Sequence, residues 1–361
     1  MPLSTSPAPS SLTPPPSSAP KVRFGVVGCG WVARDYGIPG LLAAGDVTHL
    51  CDASGEAAAV CGAAIEAATD ARPRVTTSLD ALLADDAVEA VYVATPNHTH
   101  AAIVEACAAA GKAVLCEKPL AESVAAAERM IDAAEWAGIV FATAYDQRWH
   151  PAHQTIRAML ERGELGTVTQ ARVHYACWLP PGWSPDGQPH DNWRIDAARA
   201  GGGAGIDLAP HGIDLLSMLL GADWSALHGL TQTAVHDYPA TDGATPDDGA
   251  VLMGRLGDTL VTLHVSYACP DAVPRRRLEL IGTAGTLIAV NTMGQTAGGN
   301  VAFYTADGDA HDIPFDRDAS PFAAQATWFA DAVRSGDVGR FTPRRDLHHH
   351  RLLLAALSPT Q

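Results

Sequence analysis

Three stretches of this 361-residue chain carry residue types that could act together on one substrate. Lys118 lies in Cys116-Glu117-Lys118-Pro119, and Asp207, His211 and Asp214 follow the triple glycine Gly201-Gly202-Gly203. A histidine can take a hydroxyl proton near neutral pH, and a neighbouring carboxylate orients it or raises its pKa. An ammonium beside the same oxygen favours the developing alkoxide. The third stretch, Gly28-Cys29-Gly30, is a turn whose missing side chains let a backbone approach a pyrophosphate. Together they predict hydride transfer between an alcohol carbon and a nicotinamide, with Lys118, Asp207 and His211 as the catalytic residues.

The elements that must hold these residues follow from periodicity. Val22 to Val27 reads as a strand running into Gly28, and further strands are expected at 47–51, 74–76, 90–94, 113–116 and 139–142. Helices separate them, with a kink or interruption expected at Gly37-Ile38-Pro39-Gly40. Strands alternating with helices specify an α/β domain with a doubly wound parallel sheet over residues 21–145. From 146 to 361 the rhythm changes to long strand-like runs at 167–177, 230–235, 250–256, 259–267 and 277–281. Turns such as Gly257-Asp258 join several of them, which predicts a mostly antiparallel sheet in a second, substrate-binding and oligomerisation domain. Two helices near 322–334 and 347–357 close the chain. Residues 1–20, rich in Pro, Ser, Ala and Thr, read as a disordered tail.

Gly28-x-Gly30-x-x-Ala33 follows a strand and opens a helix, which puts Trp31 and Val32 beside the cofactor. Asp52 ends the next strand, where a carboxylate accepts bonds from a ribose diol and repels a 2′-phosphate, so NAD is expected over NADP. Thr95, Pro96, Asn97 and His100 follow the fourth strand, and Glu117 and Lys118 end the fifth. These carboxyl ends border the ligand crevice of such a sheet. Pro210 fits a helix only in its first turn, so that helix is expected to begin close to Asp207 and to end at Gly221. At spacings of four and three, Asp207, His211 and Asp214 would share one face. Taken alone, the segment also reads as an N-cap at Asp207 and a core histidine; beside Lys118 and the glycine turn it reads as catalytic. Arg148, Trp178, Trp183, Trp193 and Arg194 are candidates for the substrate wall, together with Asp207 and His211. His98, His150 and His153 could line the cleft or be exposed. His348-His349-His350 reads as a polar terminal segment, and no metal is proposed.

Composition narrows the classes. A formal charge of −16 argues against nucleic-acid or anionic-membrane partners. No apolar run is long enough to cross a bilayer. Seven scattered cysteines without metal-ligand spacing fit a reducing, cytoplasmic setting.

Ala94-Thr95-Pro96-Asn97 with His100, the run Ala110 to Ala121 around Glu117-Lys118-Pro119, Trp193-Arg194, the triple glycine leading to Asp207, and Ile281-Gly282-Thr283-Ala284-Gly285-Thr286 carry a further signal. The chain resembles the glucose–fructose oxidoreductase / inositol dehydrogenase (Gfo/Idh/MocA) family in these motifs. That resemblance implies an N-terminal Rossmann domain and a C-terminal α/β domain with an open antiparallel sheet, often an oligomer interface. It implies a homodimer or homotetramer and a cis Lys118–Pro119 peptide. The reaction implied is reversible oxidation of a secondary alcohol on a sugar, cyclitol or polyol. Relatives that cleave glycosides through transient oxidation, and an idle nucleotide-binding scaffold, are the alternatives. Asp146 stands where relatives often have Asn, and Trp149 where many have Phe. The chain is expected to lack a terminal strand or tail found in some relatives.

Overall fold

A computed structural model describes residues 21–185, 192–238, 240, 245–270 and 272–358. The tail expected at 1–20 lies outside the described residues. The first sheet contains β1 Val22–Val27, β2 Gly45–Cys51, β3 Arg74–Thr76, β4 Ala90–Val93, β5 Ala113–Glu117 and β6 Phe141–Ala144. Its strands are all parallel, in the order β3-β2-β1-β4-β5-β6. The order reverses at β1 and β4, and a crevice opens outside the strand ends at that switch point. Helices α1 Ile38–Ala44, α2 Gly55–Thr69, α3 Leu79–Leu83, α4 His100–Ala109 and α5 Val124–Ala137 connect the strands.

The second sheet contains β7 Val168–Ala176, β8 Trp224–Gln232, β9 Gly249–Leu256, β10 Thr259–Ser266, β11 Arg276–Gly282, β12 Gly285–Val290, β13 Asn300–Thr305 and β14 Ala310–Asp312. It runs β14-β13-β12-β11-β7-β10-β9-β8, antiparallel except where β7 meets β10. Helices α6 Pro151–Glu161, α7 Ala197–Ala200, α8 Ala204–Leu220, α9 Pro321–Ser335 and α10 Pro343–Leu357 complete the chain. Alternation buries Val261, Leu263 and Val265 of β10 against α8, while their neighbours face outward. The glycine turn expected at 281–286 is the β11–β12 hairpin.

Several expectations are corrected. The kink or interruption expected at Gly37-Ile38-Pro39-Gly40 is no break in the helix but a change of its geometry, from a π-helical turn, Ala33–Gly37, directly into α1. The two glycines serve close packing, since a Cβ on Gly37 would lie 2.4 Å from the Tyr92 ring and one on Gly40 2.8 Å from the Phe322 backbone. Phe322 opens α9, and α9 buries Phe329, Ala326 and Ala330 with Val26, Leu41 and Leu50. The core of the first domain therefore includes a helix from near the other end of the chain, not residues 21–145 alone. The strand expected at 230–235 is β8, six positions of which lie earlier. It ends because Asp248 Oδ2 captures the N–H groups of Ala234, Val235 and His236 at 2.9, 2.6 and 3.0 Å. Finally, α8 begins at Ala204 rather than near Asp207, with Pro210 inside it. The Asp247 carboxylate accepts from Gly203 N at 3.0 Å and Gly205 N at 2.7 Å, satisfying orphan donors of the extended first turn.

Candidate active site

The glycine turn sits at the end of β1. Gly28 has φ +92° and packs against β4: a Cβ there would lie 2.5 Å from Ala94 O. Around Gly30 nothing lies within 4 Å of an added Cβ, so its bare face looks into open space. That unfilled cradle fits a dinucleotide phosphate. Asp52 ends the neighbouring strand, and its two oxygens accept from Cys29 N at 2.7 Å and Ser54 N at 2.8 Å. The carboxylate thus fixes the turn and retains lone pairs for a ribose diol.

From this turn one cleft of about 1260 Å³ extends between the sheets. Trp31, Val32, Asp52, Thr95, Pro96, Asn97, Glu117, Lys118, Trp178, Trp183, Trp193, Arg194, Asp207 and His211 all line it. The sequence therefore placed most of its candidates in one space. Asn97 also donates to Ala200 O at 2.8 Å, tying the end of β4 to α7. The Lys118–Pro119 peptide is cis.

At the far end Asp207 is a hub. Lys118 Nζ donates to its Oδ1 at 2.7 Å and to its main-chain oxygen at 2.9 Å. Tyr267 OH donates to Oδ2 at 2.8 Å, and Arg194 Nη1 lies 3.1 Å from Oδ2. Burial alone would raise the Asp207 pKa, but the charges of Lys118 and Arg194 outweigh it and hold the carboxyl well below its ordinary range. Lys118 has three donors and spends two here, so one remains for a substrate oxygen.

His211 stands one helical turn further along α8, its ring edge-on to Tyr175 at 5.2 Å. Burial, then the Lys118 charge, push its pKa well below the usual value, so the imidazole is neutral and able to accept a proton. The carboxylate facing it is not Asp207 or Asp214 but Asp146, whose Oδ1 lies 3.6 Å from His211 Nδ1. Burial raises the Asp146 pKa to about 6 and the Glu117 pKa to about 7. Glu117 accepts from Tyr92 OH at 2.7 Å.

Four expectations fail on geometry. Arg148 is fully buried outside the cleft, with Nε and Nη2 on Asp214 at 2.9 and 2.8 Å and Nη2 on Asp346 at 2.8 Å. Asp214 belongs to that buried cluster, because its turn of α8 faces α10 and Arg345 rather than the cleft. His100 is also fully buried: its ring nitrogens meet Thr95 O at 2.9 Å, Pro119 O at 3.1 Å and Leu120 O at 3.2 Å. It joins the two strand-end loops instead of touching a cofactor. The histidines of α10 form no polar terminal segment. His349 and His350 are buried, and His348 Nε2 meets Trp224 O at 2.9 Å. Asp214, Asp346 and His349 do converge, but Arg148 and Arg345 already compensate the two carboxylates. Of the remaining histidines, His98 lines the cleft whereas His150 and His153 are buried. Sequence reasoning missed Tyr267, Tyr175 and Arg276. Each sits at a strand end, where period-2 patterning reads only as sheet.

Comparison with known proteins decides the family. Residues 22–145 match the model described as the oxidoreductase family, NAD-binding Rossmann fold, and residues 153–288 match the GFO/IDH/MocA C-terminal domain. The chain belongs to the GFO/IDH/MocA oxidoreductase family. It is 32% identical over 295 residues to 1,5-anhydro-D-fructose reductase of Ensifer adhaerens, covering 81% of this chain and 83% of that protein. It is 31% identical over 280 residues to D-xylose 1-dehydrogenase [NADP(+)] of Haloarcula marismortui, covering 73% and 71%. An oxidoreductase domain protein from Kribbella flavida shares the fold, with a TM-score of 0.79, 25% identity and coverage of 94% and 96%. This family member is therefore an NAD(P)-dependent oxidoreductase, and among its described residues no helix is long and apolar enough to cross a membrane.

Proposed function

We propose that the protein interconverts a secondary alcohol and a ketone on a sugar, cyclitol or related polyol, using NAD in preference to NADP. The observation that carries this reading is the convergence of Lys118, Asp207 and His211 at the end of a cleft that begins at Gly30. A bound nicotinamide supplies the hydride acceptor or donor. His211 takes the hydroxyl proton, and Asp146 stabilises the imidazolium that results. Lys118 holds the oxygen as negative charge develops on it, while Asp207, itself held by Arg194 and Tyr267, fixes the ammonium in place. Trp178, Trp183 and Trp193 offer flat apolar faces to sugar C–H groups, with Arg194 lying 4.9 Å over the Trp193 ring. Asp52 supports the preference for NAD, since a carboxylate there opposes a 2′-phosphate.

The outward face of the second sheet leaves Leu230, Val251, Met253 and Leu260 exposed, which supports self-association of this chain as a dimer or tetramer.

Replacing His211 by Ala tests the central role. Turnover of a polyol should fall about 100- to 10,000-fold while NADH affinity, read by fluorescence titration, stays near wild type. Equal loss of both would remove His211 from the chemistry.

A further inference from the structure

We infer that the substrate bears a carboxylate and that Arg276 is the group that binds it. This inference rests on the polyol reading above and narrows its substrate class to sugar acids.

The evidence begins with strand periodicity. On β11, Leu278 and Leu280 point inward and are fully buried, while Arg277 and Glu279 point outward, 2.6 Å apart. Arg276 occupies the next inward position, where the pattern calls for an apolar side chain. Its register partner is Tyr175 of β7, and its guanidinium lies over the Tyr175 ring at 5.1 Å. The same ring meets His211 at 5.2 Å, so Arg276 lies about one aromatic ring from the proposed base.

The position is accommodated by the chain. Gly294 has no left-handed backbone, yet a Cβ on it would lie 2.7 Å from Arg276 Nη1. The bare backbone of Gly294 thus lies against the end of the guanidinium. Despite that, Arg276 Nε is buried without a hydrogen-bond partner, and no carboxylate among the described residues forms an ion pair with this side chain. Lys118 and Arg194 share Asp207, so Arg276 is a further cation in the same cleft. Asp146 and Glu117 line the same cleft, so what distinguishes Arg276 is not a surplus of positive charge but the lack of a carboxylate in direct contact with it. A part-buried guanidinium with no direct partner gains charge-assisted hydrogen bonds from an anionic ligand in the cleft. A planar guanidinium with parallel N–H bonds matches a carboxylate.

Initial rates with NAD on D-glucuronate, D-galacturonate, their methyl esters, the parent sugars and D-glucose 6-phosphate test the assignment without any variant. Binding of the same compounds to the NADH-saturated protein is read separately by calorimetry. The free acid should exceed its ester about 10- to 100-fold in kcat/KM, mostly through KM. Arg276→Gln should bring the acid-to-ester ratio towards one, and Arg276→Lys should keep part of it. Equal handling of acid and ester, or preference for the phosphate, overturns the carboxylate assignment. Arg276-dependent binding of an acid with no oxidation of any compound would keep the anion site and overturn the polyol reading instead.

Discussion

Asp146 Oδ1 lies 3.6 Å from His211 Nδ1, so a carboxylate just beyond the first sheet faces an imidazole on a helix of the second domain. Both groups are largely buried in the wall of the cleft, and Nδ1 has no hydrogen-bond partner while the ring is neutral. Proton gain by His211 would give Asp146 an N–H to accept.

This pair predicts an acid limb for alcohol oxidation. Burial raises the Asp146 pKa to about 6, so the stabilising carboxylate is present above that pH and lost as pH falls through it. The kcat/KM profile should decline below about pH 6, and Asp146→Asn should remove that limb and lower the plateau. An unchanged limb in the variant would assign it to Glu117, whose pKa burial raises to about 7.

The two glycines of the turn should separate folding from binding. Gly28→Ala places a Cβ against Ala94 O at positive φ and should lower stability by roughly 1–3 kcal/mol in thermal melts. Gly30→Ala fills only the open cradle and should weaken NADH at least about tenfold, a step of roughly 1.4 kcal/mol, with Tm unchanged. Wild-type NADH affinity in Gly30→Ala would move the pyrophosphate elsewhere.

Asp52→Ala removes both a ribose acceptor and the clamp on Cys29 N and Ser54 N. NADH affinity should fall more than NADPH affinity, narrowing the ratio between them. Tighter NADPH than NADH binding by the wild type would sink the reading of Asp52.

Arg148→Ala should act on stability rather than on substrate. It leaves Asp214 and Asp346 buried beside Arg345 alone, an expected loss of about 3–5 kcal/mol in denaturant unfolding. A raised KM for polyol at unchanged stability would return Arg148 to the substrate wall.

Self-association is checked by light scattering. The wild type should run as a dimer or tetramer, and Met253→Asp with Leu260→Asp should reduce its mass. A monomeric wild type would leave the outward sheet face without this role.

Legibility in the sequence follows the range of the interaction. The parallel sheet was readable because each β-strand and the helix after it are contiguous, and Gly28, Gly30 and Asp52 act through local backbone geometry. Strands β12 to β14 were not read, because short strands flanked by Gly and Asp carry a weak periodic signal. The start of α8 was misjudged from Pro210, because the cap that extends it is Asp247, distant in sequence.

By itself the sequence determined the dinucleotide turn, the two-sheet architecture and the presence of Lys118, Asp207 and His211, because residue type and short spacing suffice for these. Only the tertiary structure decided how they are coupled. Side chains three or four apart on α8 point to different partners once other elements pack around the helix. Asp207 therefore meets Lys118, Arg194 and Tyr267, Asp214 meets Arg148 and Arg345, and His211 is left facing Asp146.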